Sequence, residues 1–307
     1  MSIKDSSSVN KSNFDTILVL DFGSQYTQLI ARRVREMNVY SEILPWDISS
    51  DRIQALNPKG MILSGGPESV TDSNTPRAPE IIFELGIPIL GICYGMQTLA
   101  EQFGGQVASS KIKEFGHAQI TIENTSNLFE GLDIGSNIDV WMSHGDHVSS
   151  LPDTFNLIAS TEAAPITAMQ HAKKPIYALQ FHPEVTHTQE GRVVLENFVI
   201  NICNATPSWK VDGLIAQKID KIKKQVGDHK VLLGLSGGVD SSVSAMLLDQ
   251  AIGQNLICMF VDNGLLRKNE AEDVESLFRE KLDLNLIVVD AKKIFHRHLK
   301  GVFDPEQ

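Results

Sequence analysis

Ile87-Pro-Ile-Leu-Gly-Ile-Cys93-Tyr-Gly-Met-Gln-Thr-Leu-Ala-Glu-Gln-Phe103 passes from an apolar, β-branched run through Gly91-Ile-Cys-Tyr-Gly95 into a helical pattern. A strand that turns sharply into a helix at Gly-x-Cys-x-Gly has the form of a nucleophile elbow. The turn needs small flanking residues to relieve crowding. It lifts the cysteine clear of the sheet and sets it at a helix N-terminus, where the thiolate is favoured. A lone cysteine is more often a buried structural residue; the elbow around Cys93 reverses that reading.

Upstream, Thr16-Ile-Leu-Val-Leu-Asp21 and Gly60-Met-Ile-Leu-Ser64 are continuous apolar runs of the same kind, separated by helix-like segments such as Gln25 to Met37. Such runs suit a parallel sheet covered on both faces. Downstream, Ala118–Ile122, Asp139–Met142 and Ile176–Gln180 have little helix between them, which predicts a mixed or antiparallel part of the sheet. A helix from Gly191 to Cys203 is expected to close this first domain, residues 14–204. The polar, Ser-rich residues 1–13 read as a disordered tail, and Ala205-Thr-Pro-Ser-Trp-Lys210 as the core of a linker over 205–212. From 213 to 307 helices and strands alternate in the order of βαβ units in a doubly wound sheet: Leu214–Val226, Val231–Leu235, Ser242–Ile252, Leu256–Val261, Asn269–Lys281 and Leu284–Val289.

Composition narrows the function. The 307 residues carry 27 basic and 38 acidic side chains, a net charge of −11, which argues against a nucleic-acid or anionic-membrane surface. Three widely spaced cysteines read as neither a disulfide framework nor a zinc site and point to a reducing, cytoplasmic setting. No apolar run approaches membrane-spanning length.

A cysteine nucleophile needs a base and a group that orients the base. Phe181-His-Pro-Glu184 supplies both at the end of an apolar run: His182 as base, with Glu184 two residues on to hold the imidazole. Leu63-Ser-Gly-Gly-Pro67 is a glycine turn at a strand end, and its amides together with that of Tyr94 suit an oxyanion. Each motif alone also has a bland reading, a surface His-x-Glu or an ordinary turn.

Leu235-Ser-Gly-Gly-Val-Asp-Ser-Ser242 follows an apolar strand and opens a helix. Lacking Gly-Lys-[Ser/Thr] it is not a Walker loop, yet its amides, the hydroxyls of Ser236, Ser241 and Ser242 and the helix N-terminus suit a phosphate. Asp240 suits a magnesium ion bridging to that phosphate. The alternative is a glycine turn with a helix cap.

In order, Ser64-Gly-Gly-Pro67, Gly91-Ile-Cys-Tyr-Gly-Met-Gln97 and His182-Pro-Glu184 resemble the three signature blocks of class I glutamine amidotransferases. The resemblance implies a flavodoxin-like mixed sheet and a triad of Cys93, His182 and Glu184. It also implies oxyanion amides from Gly66 and Tyr94 and a glutamine contact from Gln97. Trp141-Met-Ser-His-Gly-Asp146 and His182-Pro-Glu-Val-Thr-His-Thr188 resemble the GMP synthases within that class, which implies glutamine contacts from Ser143 and His144; a solvated loop histidine is the other reading of His144. Ser236-Gly-Gly-Val-Asp-Ser241 is similar to the loop of N-type ATP pyrophosphatases, which implies ATP held by Ser236, Gly237, Gly238, Val239, Asp240, Ser241 and Ser242, with adenine near Val261 and Mg2+ at Asp240. No prosthetic group is implied.

Family members release ammonia from glutamine, adenylate xanthosine monophosphate (XMP) with magnesium ATP, and form GMP as homodimers. They continue beyond the point where this sequence stops, through the rest of the pyrophosphatase domain and a dimerisation domain. The expectation is a glutaminase half, a partial doubly wound ATP pyrophosphatase domain lacking most of the XMP site, and no GMP formation by this chain alone. A non-catalytic remnant and an amidotransferase for another acceptor are the alternatives.

Overall fold

A computed structural model describes residues 14–162, 164–210 and 212–302; the expected tail at 1–13 lies outside them. The chain divides into two units, one up to Trp209 and one from Lys210. In the first, the order is β1 (Thr16–Asp21), α1 (Thr27–Glu36), β2 (Tyr40–Pro45), α2 (Ser50–Leu56), β3 (Gly60–Leu63), β4 (Ile89–Ile92), α3 (Tyr94–Gln102), β5 (Gln106–Ile122), β6 (Asn137–Ser150), β7 (Phe155–Ser160), β8 (Ala168–His171), β9 (Ile176–Leu179) and α4 (Gly191–Glu196). A π-helical segment, Asn197–Ile202, continues α4. The nine strands form one sheet ordered β2-β1-β3-β4-β9-β8-β7-β5-β6.

The half of the sheet from β2 to β9 is parallel, and the pairings among β5, β6, β7, β8 and β9 are antiparallel. This is the mixed sheet anticipated from the weak helical content between Ala108 and Glu184. Strands β3, β4 and β9 are buried at every position, which is why their sequences are unbroken apolar runs and not alternating ones. Side chains alternate between two cores. Ile17, Val19, Ile62, Leu90 and Ile92 enter one, against Ile30, Ala31 and Val34 of α1; Leu18, Leu20, Met61, Leu63 and Ile89 enter the other, against Met96 and Leu99 of α3.

The linker reading needs correction. Ala205 and Trp209 are 3% and 8% exposed; the Trp209 amide donates to Asn38 O at 2.8 Å and its indole lies against Tyr40. Burial of Ala205 and Trp209 therefore ties both ends of 205–209 to the first unit while the three residues between them are exposed, and helix α5 (Asp212–Val226) opens the second. There follow β10 (Val231–Leu235), α6 (Val239–Ile252), β11 (Leu256–Asp262), α7 (Glu270–Glu275) with a π-helical extension to Lys281, β12 (Leu286–Asp290) and α8 (Lys292–Leu299). The three strands are parallel in the order β10-β11-β12 over a core of Leu235, Ala245, Cys258, Phe260 and Phe278. Helix α6 begins at Val239, three residues ahead of the expected Ser242.

Two glycines let α3 sit directly on the sheet. A Cβ on Gly91 would lie 2.6 Å from Gly95 O, and one on Gly95 would lie 2.4 Å from Leu63 O. Both obstacles are backbone, so nothing soft can yield. Gly95→Ala should cost about 3 kcal/mol through overpacking, read as a drop in the urea midpoint; an unchanged midpoint would show that α3 does not press on β3.

Candidate active site

Strand β4 carries Cys93 to the carboxyl edge of the sheet with φ 54° and ψ −107°. A non-glycine residue with positive φ is strained, and here the surroundings over-determine it. The Cys93 amide donates to Leu179 O at 2.7 Å, the Gly95 amide to Ser64 O at 3.1 Å, and the Cys93 carbonyl accepts from the amides of Met96 and Gln97. The thiol is 6% exposed and its Sγ lies 3.5 Å from Ser143 O on β6.

Three residues beyond β9, His182 is 2% exposed and Glu184 fully buried. His182 Nδ1 and Glu184 Oε1 are 2.7 Å apart, and the Cys93 side chain lies near enough to the ring to act on its basicity. With Nδ1–H donated to Glu184, Nε2 is the nitrogen left for the sulfur. Burial works to lower the basicity of His182; the hydrogen bonds from Cys93 and Glu184 and their charges outweigh it and raise its pKa to about 10. Tyr26 meets the ring edge-on, with centroids 5.0 Å apart.

The glycine turn after β3 faces the same atoms. A Cβ on Gly65 would sit 3.3 Å from His182 Cε1 and 3.6 Å from Cys93 Cβ, so a side chain there would fill the space beside nucleophile and base. One residue on, Gly66 packs against Phe22 O and the Tyr94 ring. Among the described residues neither the Gly66 nor the Tyr94 amide is bonded to a protein acceptor.

The glutamine-contact candidates divide. Ser143 lies on β6 with its carbonyl toward the thiol. Gln97 is buried and spends its amide hydrogens on Asp146 O at 2.8 Å and, more weakly, on Gln180 Oε1 at 3.4 Å. His144 is 4% exposed within β6, which rules out a solvated loop position. Burial lowers its pKa to about 4, so it is neutral. His144 Nε2 lies 3.2 Å from Glu114 Oε2, but neither ring nitrogen makes a well-directed hydrogen bond; the contact is proximity more than bonding.

Some neighbours carried no signal that sequence reasoning used. The Arg33 Nε donates to Glu184 O across 151 positions, a contact no local pattern announces. Thr188 stood within a quoted motif without a role, yet its hydroxyl links the backbones of His182 and Trp141.

In the second unit, Gly237 takes φ +74°, and the loop is tied by its own hydroxyls. The Gly238 amide donates to Ser236 Oγ at 3.3 Å, while Ser241 and Ser242 donate to Gly238 O at 3.0 and 2.8 Å. Val239, Asp240, Ser241 and Ser242 form the first turn of α6, with Val239 and Asp240 exposed. Val261 is 39% exposed at the end of β11, and the adjacent Asp262 is engaged by Lys292 at 2.9 Å. No group of three or more His, Cys, Asp or Glu able to hold a metal occurs among the described residues. Asp240, exposed in the first turn of α6, is the carboxylate of the Ser236–Ser242 loop. Among the described residues no helix is long and apolar enough to cross a membrane.

Comparison with known proteins agrees with this geometry. The family model "Glutamine amidotransferase class-I" matches residues 18–202, and "NAD synthase" matches residues 214–307. The glutamine-hydrolysing GMP synthase of Hamiltonella defensa is 54% identical over 297 residues, which are 95% of this chain and 57% of that protein. That of Mannheimia succiniciproducens is 54% identical over 303 residues, 97% of this chain and 58% of that protein. The chain thus spans a little over half the length of these curated relatives. The crystal structure of a GMP synthase subunit protein from Thermoplasma acidophilum is 38% identical with a TM-score of 0.55, covering 62% of this chain and 94% of that one. With a family model matched over more than half its length and a cysteine elbow, buried imidazole and carboxylate in one cluster, the chain belongs to the class-I glutamine amidotransferases.

Proposed function

We propose that this chain hydrolyses glutamine at Cys93 and forms part of a cytoplasmic GMP synthase, which makes GMP from XMP, ATP and glutamine. The observation that carries the reading is the buried pair in which Glu184 holds His182 at 2.7 Å, with the strained Cys93 next to it across Gly65.

The chemistry follows from those positions. His182 takes the proton of the Cys93 thiol as the sulfur attacks the side-chain carbonyl carbon of glutamine, and charge moves onto the oxygen between the amides of Gly66 and Tyr94. Protonated His182 gives its proton to the departing nitrogen, so ammonia leaves and a thioester remains. A water then loses a proton to the neutral His182 and attacks the thioester; glutamate departs and the sulfur is restored. Glu184 holds Nδ1–H throughout, keeping the tautomer. Ser143 and Gln97 border the glutamine, and neutral His144 borders it without adding charge.

In the second unit the loop Ser236 to Ser242 receives the ATP phosphates, with adenine near Val261. Magnesium, held by Asp240, supplies charge neutralisation when bound. The 2-oxygen of XMP attacks the α-phosphorus of ATP and pyrophosphate leaves; ammonia then attacks the purine carbon and displaces AMP, giving GMP. The 54% identity to glutamine-hydrolysing GMP synthases favours this acceptor over another.

Three outcomes test the proposal. Cys93→Ala should lower glutamate release by roughly 10³-fold or more, and a diazo-ketone analogue of glutamine should label wild type at Cys93 and not the variant. A wild type that is folded yet neither releases glutamate nor takes the label is a non-catalytic remnant. Glu184→Gln should cost about 10²- to 10⁴-fold in kcat with little change in KM, because the ring loses its tautomer control; a variant at wild-type rate would remove Glu184 from the relay.

The third concerns pH. The unfolded state takes up a proton on His144 near pH 6.5, whereas the folded state resists until about pH 4. Its depressed pKa therefore leaves stability untouched above 6.5 and erodes it as pH falls from 6.5 to 4. The Tm of wild type should drop more steeply over that window than the Tm of His144→Gln, with Glu114 retained in both. Parallel curves would show that His144 titrates normally.

A further inference from the structure

Beyond the relay itself, one hydroxyl joins the base to the strand that faces the nucleophile. Thr188 is 4% exposed. Its Oγ1 donates to His182 O at 2.6 Å and accepts from the Trp141 amide at 3.0 Å. The His182 amide in turn donates to Trp141 O at 3.0 Å. Two peptide groups and one hydroxyl thus close a ring: Trp141 N–H to Thr188, Thr188 O–H to His182, His182 N–H to Trp141. Two residues along β6 from Trp141, the Ser143 carbonyl is the group lying 3.5 Å from Cys93 Sγ.

The turn that presents Thr188 is itself fixed. The Thr188 amide donates to Val185 O at 3.2 Å and the Gly191 amide to Thr188 O at 3.1 Å. A Cβ on Gly191 would lie 2.1 Å from Pro183 O, so the segment from His182 to Gly191 is folded tightly on itself. Arg33 holds Glu184 O from the α1 side. Within this frame the Thr188 hydroxyl is the one side-chain group that bonds both the base's own peptide and β6. No role in the mechanism above uses it.

We infer that Thr188 is a positioning residue: its hydroxyl locks the backbone of His182 to β6 and so sets the distance between the imidazole and the Cys93 sulfur. The inference rests on the reading of His182 as the base. Its physical basis is that both partners of the hydroxyl are buried backbone groups. Replacing it by a methyl leaves a carbonyl and an N–H unpaired, and they regain partners only if the loop and β6 move apart. A displacement of about 1 Å between reacting groups lowers a rate by about 10²-fold.

The test compares Thr188→Val, which keeps the shape and removes the hydroxyl, with Thr188→Ser, which keeps the hydroxyl. Two readouts are taken on the full chain: the labelling rate of Cys93 by the diazo-ketone glutamine analogue, and the titration midpoint of His182 by ring NMR. The groups facing that ring are Glu184, Cys93, His144 and Tyr26, and all are retained. Thr188→Val should slow labelling by about 10²-fold and move the His182 midpoint down by about one unit as the ring draws away from Glu184 and Cys93. Thr188→Ser should restore both.

A Thr188→Val protein that loses Tm while keeping the wild-type midpoint and labelling rate would overturn the inference, since the hydroxyl would then be merely structural. So would a Thr188→Ser protein as impaired as the valine variant. If Thr188→Val does not fold, Thr188→Ala takes its place under the same criteria. If wild-type Cys93 resists the label while the His182 midpoint still responds to Thr188, the glutaminase reading fails and the positioning role stands.

Discussion

The parallel pairing of β4 with β9 is the constraint on which the site depends. Ile92 lies opposite Leu179 in that ladder, and the bond from the Cys93 amide to Leu179 O at 2.7 Å ends it. Both strands are wholly buried, so a slip of one residue would reverse every side chain between the two cores. Because the register cannot slip, the first residue past β4 and the third past β9 emerge on the same edge of the sheet. The loop-closure entropy of bringing together residues 93 and 182 grows only slowly with the length between them, and apolar burial on both faces of the sheet offsets it.

Once the thiol and the imidazole share that edge, partners decide their electrostatics. Two buried histidines lie close by and shift in opposite directions. His182 has a carboxylate on Nδ1 and the thiol beside it, and it rises to about 10 against the pull of burial. His144 is also buried, but its neighbour Glu114 does not make a directed bond to it, and it falls to about 4. Burial alone makes a histidine neutral; burial with hydrogen-bonded anions makes it a cation.

The second unit uses the other common answer to binding a charged group. Its loop residues are largely exposed and bonded mostly to one another, Ser236 to Gly238 and Ser241 and Ser242 back to Gly238 O. The loop is shaped before any ligand arrives, with positive φ confined to Gly237. Preorganisation of this kind saves ordering entropy on binding. It contrasts with the amidotransferase cluster, where a strained non-glycine residue is held by the packed core around it.

Much of this was legible in sequence. Unbroken apolar runs announced β1, β3, β4 and β9, because strands buried on two faces admit no polar alternation. Gly91 and Gly95 announced the elbow, because backbone crowding there leaves room for no side chain. Strands β7 and β8 were not anticipated: each is short, and Phe155-Asn-Leu-Ile-Ala-Ser160 and Ala168-Met-Gln-His171 mix polar and apolar residues as antiparallel strands with one wetter face do. The start of α6 was placed late because a glycine loop and a first helical turn share residue types. The seat of Trp209 was missed because only a folded surface formed by Asn38 and Tyr40 makes that segment part of the first unit. Residue types and spacing thus determined which groups could act. Which of them meet, that the buried His144 and His182 shift in opposite directions, and that Arg33 and Thr188 hold the loop carrying His182 were decided by the tertiary structure, because hydrogen bonds between distant segments and the desolvation they suffer exist only after the sheet has closed.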